Sequence, residues 1–349
     1  MNTQITLNPR SESPATSSRA IYTYEQAKAA STEYANGDEL AASVFVDKYA
    51  LRNEKNELVE LTPTDMHWRI ANEFARVEQR KFKDPMSAQT IFNLLDRFAK
   101  VVMQGSPSYG IGNPYQYISI GNCFVIPSPL DSYLGIMHTD TQITQISCRR
   151  GGVGWSNSKL RPAGMLVKNA AKTTSGMTGF AVRFSNTVRE VGQHGRRGAS
   201  LQELSCWHPE VLGFIKVKRD LTKLTGSNIS VDFDDEFMQR VFDRADIKLR
   251  WPVCKEDADE MRRPFPEYEV PANAGEIWDE FIKSAHLMAE PGCRFIDTVH
   301  RMSPGVPYGH IETASNPCGE QCMPPYASCR LLLLNLISYV RNKFKPDAY

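Results

Sequence analysis

Apolar positions in the first hundred residues recur at helical spacing. Thr62 and Pro63 with Asp65 form a typical helix start, because a threonine cap precedes proline and an acid follows three residues after the cap. The apolar positions after it fall every three or four residues, which predicts one helical stripe: Met66, Ile70, Phe74 and Val77. A second stripe follows Pro85: Ile91, Leu94, Phe98 and Val102. The spacing predicts a helical N-terminal domain over residues 21–104, preceded by a disordered leader over residues 1–20 that is rich in Ser, Thr and Pro.

The pattern changes after Gly105. Short apolar runs such as 117–126 and 226–233 alternate with amphipathic stretches, which indicates an α/β fold with mostly parallel strands. Residues 278–289 are predicted to form a helix, and the charged, proline-rich residues 251–271 a surface excursion.

Charge and hydropathy exclude several functional classes. The chain has 41 Lys and Arg against 40 Asp and Glu, so no net field draws it to DNA or to an acidic membrane surface. Its apolar runs are far shorter than the roughly 18 residues of a membrane helix, and its start has no apolar signal core. These features predict a cytoplasmic protein that binds neither DNA nor membranes.

The eight cysteines are too sparse and irregular for a secreted disulfide scaffold. In a reducing compartment they are core thiols, metal ligands or catalysts. Cys318, Cys322 and Cys329 could be considered as zinc ligands, but they include no Cys-x2-Cys pair, and structural zinc usually has four ligands. The sequence therefore predicts no metal site.

Residues 315–320 carry the most informative chemistry. Pro317 disfavours a helical conformation before it and Gly319 permits a tight path, so the segment is predicted to be an extended loop. In extended chain alternate side chains point the same way, which would present the amide of Asn316, the thiol of Cys318 and the carboxylate of Glu320 to one small molecule. The alternative is a surface turn with an incidental cysteine.

Residues 315–331 as a whole resemble the finger loop and following strand of the ribonucleotide reductase large subunit. Further segments resemble the same family in the same order: residues 37–42, 122–125, 150–154, 195–199 and 225–231. The resemblance covers nearly everything after residue 20. It implies a helical N-terminal domain followed by the first half of a ten-stranded α/β barrel over residues 105–349, with the finger loop at 312–328.

The resemblance also implies catalytic roles for the reduction of ribonucleotides to 2′-deoxyribonucleotides. Cys318 would hold a transient thiyl radical and abstract the ribose 3′-hydrogen, and Glu320 would take the 3′-hydroxyl proton as general base. Asn316 would hydrogen-bond the ribose hydroxyls. Cys123 and Cys329 would protonate and reduce the 2′ position and finish as a disulfide, which requires their Cα atoms to approach within about 6 Å.

Other positions match substrate and effector contacts of the family. Ser108, Asn122 and Gly152 are candidate substrate contacts. For effector binding, residues 162–174 and 192–200 match the two loops that select the substrate. Four single positions are effector candidates: Asp131, Lys168, Arg196 and Arg197. The alternative for the two arginines is an ordinary solvated basic patch.

The chain looks most like the adenosylcobalamin-dependent class. The main alternative is a class whose radical comes from a separate di-metal subunit, with no cofactor in this chain. Another alternative is a catalytically silent nucleotide-binding fragment, against which the retained catalytic set argues.

The partners implied for a ribonucleoside-diphosphate reductase are the ribonucleotide substrate, dNTP or ATP effectors, thioredoxin or glutaredoxin, and other copies of the chain in a homo-oligomer. Either a second polypeptide carries the C-terminal half of the barrel, or the chain is a truncated product. The run of leucines in residues 331–336 is predicted to form a strand that is buried on both faces only when those later strands cover it.

Overall fold

The computed structural model describes residues 20–191 and 198–349, which divide into two compact units. The first comprises residues 20–102, 111–116 and 334–349, and the second residues 103–110 and 117–333. The helices of the first unit are α1 Tyr24–Tyr34, α2 Glu39–Lys48, α3 Pro63–Lys81 and α4 Ala88–Leu95. Two short strands each have residues in both units: β1 Val101–Met103 and β12 Leu332–Leu334.

Helix α3 begins where the sequence predicts. The Asp65 carboxylate accepts a hydrogen bond of 3.0 Å from the backbone N–H of Thr62. The predicted stripe is only half right, because Met66 and Ile70 are buried whereas Phe74 and Val77 are 38% and 37% exposed. Two small residues, Ala71 and Ala75, complete the buried face instead.

Helix α4 is shorter than its stripe predicts. It ends at Leu95, which is buried, and the next three residues form one 3-10 turn. Arg97 and Phe98 have φ values of 57° and 53°. Two successive residues in this left-handed region cannot continue a right-handed helix, so the continuation to Val102 is wrong.

The second unit contains the other eight helices and ten further strands of the described chain. The helices are α5 Gly105–Gly110, α6 Tyr133–Ser147, α7 Gly176–Glu190, α8 Val211–Lys216, α9 Asp235–Phe242, α10 Lys255–Met261, α11 Ala274–Met288 and α12 Ile296–Met302. Strands β2 to β6 are Cys123–Val125, Gly152–Ser156, Ser200–Ser205, Asn228–Phe233 and Asp246–Trp251. Strands β7 to β11 are Tyr268–Asn273, Gly292–Phe295, Ala314–Ser315, Cys322–Met323 and Ser328–Cys329. The first two residues of β12, 332–333, also belong to this unit.

Six strands form the main sheet in the order β11-β2-β3-β4-β5-β8. The run from β2 to β8 is parallel throughout, and β11 is antiparallel to β2. Parallel neighbours joined by helical crossovers are the signature of an α/β fold. The predicted fold class is therefore confirmed: a helical N-terminal unit is followed by the parallel strands of a half-barrel.

The two faces of this sheet differ in chemistry. Side chains of one face, among them Trp155, Val231 and Phe233, pack with Phe184 and Phe214 of the crossover helices into the main core. Because side chains alternate along a strand, the intervening residues face the other side. That side carries two cysteines, two glycines and a charged cluster.

Residues 251–271 are not a surface excursion throughout. Trp251 is fully buried at the end of β6, which pairs with β7 as an antiparallel hairpin. Helix α10 lies between the two strands of this hairpin in sequence. Within the described ranges, none of the helices is long and apolar enough to cross a membrane.

Candidate active site

The predicted finger loop is a β-hairpin. Strand β9 pairs antiparallel with β10, so that Cys322 lies opposite Ser315, and residues 316–321 form the turn. The turn is closed by hydrogen bonds from Asn316 N to the Gln321 carbonyl (3.0 Å) and from Gly319 N to the Asn316 carbonyl (2.9 Å). Gly319 has φ +84°, which glycine adopts at little cost. The prediction of an extended loop is therefore wrong, since these bonds fold the segment back on itself.

The turn nevertheless brings two of the three predicted groups together. The Asn316 side-chain amide donates to the Glu320 carboxylate at 2.7 Å, and its carbonyl accepts from Gln321 N at 3.0 Å. Asn316 is fully buried, whereas Glu320 and Cys318 are exposed at the tip of the turn. The fixed amide thus holds a carboxylate next to an accessible thiol.

Two glycines of β3 let the hairpin approach the sheet. A Cβ on Gly154 would lie 1.8 Å from the Ser315 carbonyl oxygen, and one on Gly152 would lie 2.8 Å from Pro317 Cγ. Both distances are too short for real contacts. The glycines therefore provide a backbone groove in which β9 lies, and Asn228 of β5 holds the turn by donating to the Pro317 carbonyl at 3.1 Å.

Cys123 and Cys329 are direct cross-strand partners on β2 and β11. Opposed residues of antiparallel strands have Cα atoms about 4.5–5.5 Å apart, inside the range of about 4.4–6.8 Å that a disulfide needs. Both side chains are free thiols, and they share a hydrogen bond. The Asn316 amide also hydrogen-bonds Cys123, which joins the cysteine pair to the hairpin turn.

The environment keeps both thiols protonated. Burial raises the pKa of Cys123 to about 12, and the opposing effect of the Asn316 hydrogen bond is smaller. Burial also raises the pKa of Cys329, as does the nearby Glu320 carboxylate. Cys123 and Cys329 are therefore protonated thiols rather than thiolates at neutral pH.

A buried charged cluster lies under the hairpin, and sequence reasoning missed it. Glu203 of β4 accepts hydrogen bonds from Ser315 Oγ (2.6 Å) and from Ser315 N (3.2 Å to each oxygen). Arg294 of β8 lies 3.0 Å from Glu203 and forms two bonds of 2.8 Å with Asp232 of β5. The only available signal in the sequence was the single acid within the strand sequence SLQELS.

The predicted substrate contacts lie in different surroundings. Asn122 is buried directly before Cys123, and its backbone N–H donates to the Cys329 carbonyl at 3.2 Å. Gly152 faces Pro317, so the hairpin occupies the space beside it. Ser108 is buried in α5, where its hydroxyl donates to the Met103 carbonyl at 2.9 Å.

Two predicted effector residues line one cavity. Asp131 and Lys168 lie on a cavity of about 1030 Å³, and Asp131 accepts from Arg161 Nε at 2.7 Å. The first predicted loop folds as a small hairpin in which Val167 N donates to the Lys172 carbonyl at 2.8 Å. Lys172 of the first predicted loop also lines the cavity, together with three basic residues that were not predicted: Arg161, Arg262 and Arg263.

Arg196 and Arg197 lie outside the described residues, with most of the second predicted loop. Over residues 20–191 and 198–349, no group of three or more His, Cys, Asp and Glu side chains is arranged to hold a metal ion.

Relatives of the chain are reductases. It is 35% identical over 227 residues to the vitamin B12-dependent ribonucleoside-diphosphate reductase of Thermoplasma acidophilum, covering 64% of this chain and 28% of the relative. The enzyme of the same name from Mycobacterium tuberculosis is 30% identical over 303 residues, covering 85% and 41%. The ribonucleoside-diphosphate reductase subunit alpha of Helicobacter pylori is 26% identical over 302 residues, covering 80% and 37%. The chain thus spans between 28% and 41% of the length of these relatives.

Family models agree with the division of the fold. The all-alpha domain of ribonucleotide reductase matches residues 35–103, and its barrel domain matches residues 121–349. The second match spans well over half of the chain and includes the hairpin and both opposed cysteines. The chain therefore belongs to the ribonucleotide reductase family.

Proposed function

We propose that this chain carries the reducing centre for conversion of ribonucleotides to 2′-deoxyribonucleotides by thiyl-radical chemistry. One observation carries the proposal: the opposed thiols of Cys123 and Cys329 meet the Asn316–Glu320 pair under the turn that exposes Cys318. The reaction consumes a dithiol. It also uses a carboxylate and an accessible third thiol.

The first step takes place at the 3′ carbon of the ribose. A thiyl radical at Cys318 abstracts the 3′-hydrogen, and the sulfur becomes a thiol. Glu320 accepts the proton of the 3′-hydroxyl. The Asn316 amide holds that carboxylate in place by its bond of 2.7 Å, which leaves the second carboxylate oxygen for the sugar.

The second step takes place at the 2′ carbon. One thiol of the Cys123–Cys329 pair protonates the departing 2′-hydroxyl, which leaves as water, and the pair supplies two electrons and the hydrogen that replaces it. The two sulfurs then form one disulfide. Glu320 returns its proton to the 3′ oxygen. Cys318 returns hydrogen to the 3′ carbon and regains its radical, so that one dithiol is consumed for each deoxyribonucleotide formed. The raised thiol pKa values support this role, since both sulfurs retain the hydrogens that the reaction requires.

We propose adenosylcobalamin as the radical source, supported by the names of the first two relatives. The residue that would meet it is Cys318, whose exposed position at the tip of the turn fits a radical delivered from outside the chain. When bound, this cofactor supplies the carbon-centred radical that oxidises the thiol. A separate di-metal subunit is the alternative, and a dependence of product formation on added adenosylcobalamin distinguishes the two.

The proposed substrate is a ribonucleoside diphosphate, and the proposed reductant of the finished disulfide is a thioredoxin-type protein. All three relatives are named ribonucleoside-diphosphate reductases, which supports the diphosphate. We also propose residues 21–104 and 105–349 as the two domains of the chain, and association of the chain with further copies of itself.

Completion of the barrel by another polypeptide is supported by the leucines of β12. The predicted strand is present, but Leu332, Leu333 and Leu334 are 59%, 49% and 58% exposed rather than buried. We propose that further strands cover these side chains and provide the phosphate-binding loops for the substrate.

The test is reduction of a ribonucleoside diphosphate with dithiol, adenosylcobalamin and effector. We expect the purified chain to be inactive alone and active when a polypeptide with the second half of the barrel is added. Turnover by a monodisperse preparation of these 349 residues alone would refute the proposed completion. No product in either preparation, with either type of radical source, would refute the proposed activity.

We further propose that the cavity at Asp131 and Lys168 binds a dNTP effector. Its four additional basic side chains suit a triphosphate. Lys168→Ala should weaken dNTP binding in equilibrium titration, whereas Lys223→Ala, on the surface beside Asp220, should not. Arg197→Ala should reduce the dependence of substrate choice on the bound dNTP. Unchanged substrate ratios would contradict the assignment of the second loop.

A further inference from the structure

The hairpin that bears the proposed catalytic groups has little pairing of its own. Strands β9 and β10 are two residues long each, and so short a ribbon is not stable by itself. Its position on the sheet must therefore come from other contacts. Besides the Asn228 bond to Pro317, one such contact is made by Ser315, the residue directly before Asn316.

Ser315 is bound by a carboxylate inside the sheet. Its hydroxyl and its backbone N–H both donate to Glu203, at 2.6 Å and 3.2 Å, and Glu203 is fully buried. This carboxylate thus accepts from both donors of one hairpin residue. A buried carboxylate without hydrogen-bond partners would destabilise the folded state. The fold therefore favours the arrangement in which Ser315 supplies these two donors.

Arg294 fixes the orientation of that carboxylate. It lies 3.0 Å from Glu203 and is itself held by two bonds of 2.8 Å to Asp232. It also donates to the Thr313 carbonyl at 3.2 Å, and it hydrogen-bonds the thiol of Cys322. One guanidinium therefore joins strands β4, β5 and β8 to both strands of the hairpin.

We infer that Glu203 is a positioning residue for the reaction: together with Arg294 it holds the hairpin at the place on the sheet where Asn316 and Glu320 meet the cysteine pair. Glu203 is not itself within reach of the substrate, because Ser315 lies between it and the turn. This inference rests on the proposed function for its chemical consequence, but the anchoring itself can be tested separately.

The anchoring is tested by hydrogen exchange in the full chain. Two variants remove the contact from opposite sides, Glu203→Gln and Ser315→Ala. In each we expect the peptide over residues 312–324 to exchange about tenfold faster, because each variant removes or weakens a hydrogen bond that holds the hairpin. The β6–β7 hairpin of the same unit should keep its rate and serves as the internal reference. If Glu203→Gln does not fold, Ser315→Ala carries the test, since it removes one hydroxyl alone.

Glu60→Gln is the matched control. Glu60 is also a buried carboxylate paired with an arginine, Arg69, at 2.7 Å, but it lies in the helical unit. It should leave the exchange of residues 312–324 unchanged. Unchanged exchange of that peptide in both anchor variants would overturn the inference. So would an acceleration that the β6–β7 peptide shares equally.

The chemical consequence is tested in a single turnover with radical source and completed barrel. We expect Ser315→Ala to slow product formation about tenfold while the nucleotide dissociation constant stays unchanged, because the hairpin positions the reacting groups. In the double variant with Glu203→Gln the losses should not add, since both act through one contact. An unchanged rate, or additive losses, would overturn the positioning role. If the wild-type chain forms no product, the proposed function fails, and the exchange data still decide the anchoring.

Discussion

Cys123 lies directly opposite Cys329 across the antiparallel pair formed by β2 and β11. The two residues belong to segments far apart in the chain, and the sheet register alone brings them together. Neither side chain has to move far to form a disulfide, because opposed strand positions already have a suitable Cα separation. The proposed redox step therefore uses a geometry that the fold maintains.

Replacing either cysteine by serine should abolish multiple turnover with an external dithiol. The remaining single thiol cannot supply two electrons and close a disulfide. Nucleotide binding should persist, since serine is similar in size. The measurement is product formed per chain, together with equilibrium binding of the nucleotide.

Cys148→Ser is the control for this pair. Cys148 is an exposed thiol after helix α6, outside the proposed site. Its replacement should leave turnover unchanged. Full multiple-turnover activity in both Cys123→Ser and Cys329→Ser would show that the reducing pair is elsewhere.

Alkylation of Cys123 should depend steeply on pH. Burial raises the pKa of this thiol to about 12, and only the thiolate reacts with iodoacetamide. Its rate should therefore continue to rise by about tenfold per pH unit well above the pKa of about 8.5 of a free cysteine. Rates measured by mass spectrometry that level off near that lower value would contradict the protected environment.

The sequence predicted elements better than it predicted tertiary contacts. Helix α11 was expected over residues 278–289 and is present over Ala274–Met288. It begins earlier because the Asn273 side chain caps it by accepting from Glu276 N at 3.2 Å. It ends before Ala289, whose φ of 58° is left-handed. Such ends depend on local capping, which apolar spacing does not report.

The site could be predicted only in part. The side chains of the 315–320 segment predict that Asn316 and Glu320 come together, and they do. The predicted geometry of alternating side chains in an extended chain is wrong, because hydrogen bonds across the turn fold the segment back. Arg294 and Glu203 could not be found from spacing, since they are brought together by β4 and β8, which are not neighbours in the sheet. Contacts of this kind follow from strand order, which the pattern of one strand does not contain.

Gly154→Ala should displace the hairpin. The added methyl carbon would lie 1.8 Å from the Ser315 carbonyl oxygen, a backbone atom that cannot rotate away. We expect the free energy of unfolding to fall by about 1–3 kcal/mol, as in other overpacked sites, with loss of activity. Gly213→Ala is the matched control, because a methyl there meets nothing within 4 Å and favours helix α8. Equal stability of the two variants in urea would contradict the close packing of β9 on β3.

The stability of the fold should depend on pH through Glu203. Burial, and secondarily the negative charge of Asp232, raises the pKa of Glu203 from 4.5 to about 8; the opposing effects of Arg294 and the Ser315 hydrogen bonds are smaller. Cys322 is the other titratable group that faces this cluster from the hairpin. In the unfolded chain the same carboxyl loses its proton near 4.5, so between the two values the folded protein binds a proton that the unfolded chain has released.

The free energy of unfolding should therefore decrease as pH rises through this window. The contribution of Glu203 is fully present below 4.5 and is lost as pH rises through about 8. Glu203→Gln cannot titrate, so its stability should be lower because the anchor is weakened, yet should vary less with pH than that of the parent chain. Urea unfolding of both proteins across the window gives the two slopes. Parallel curves for the parent and Glu203→Gln would show that Glu203 is ionised throughout, in which case the cluster is held by charge attraction to Arg294 rather than by a protonated carboxyl.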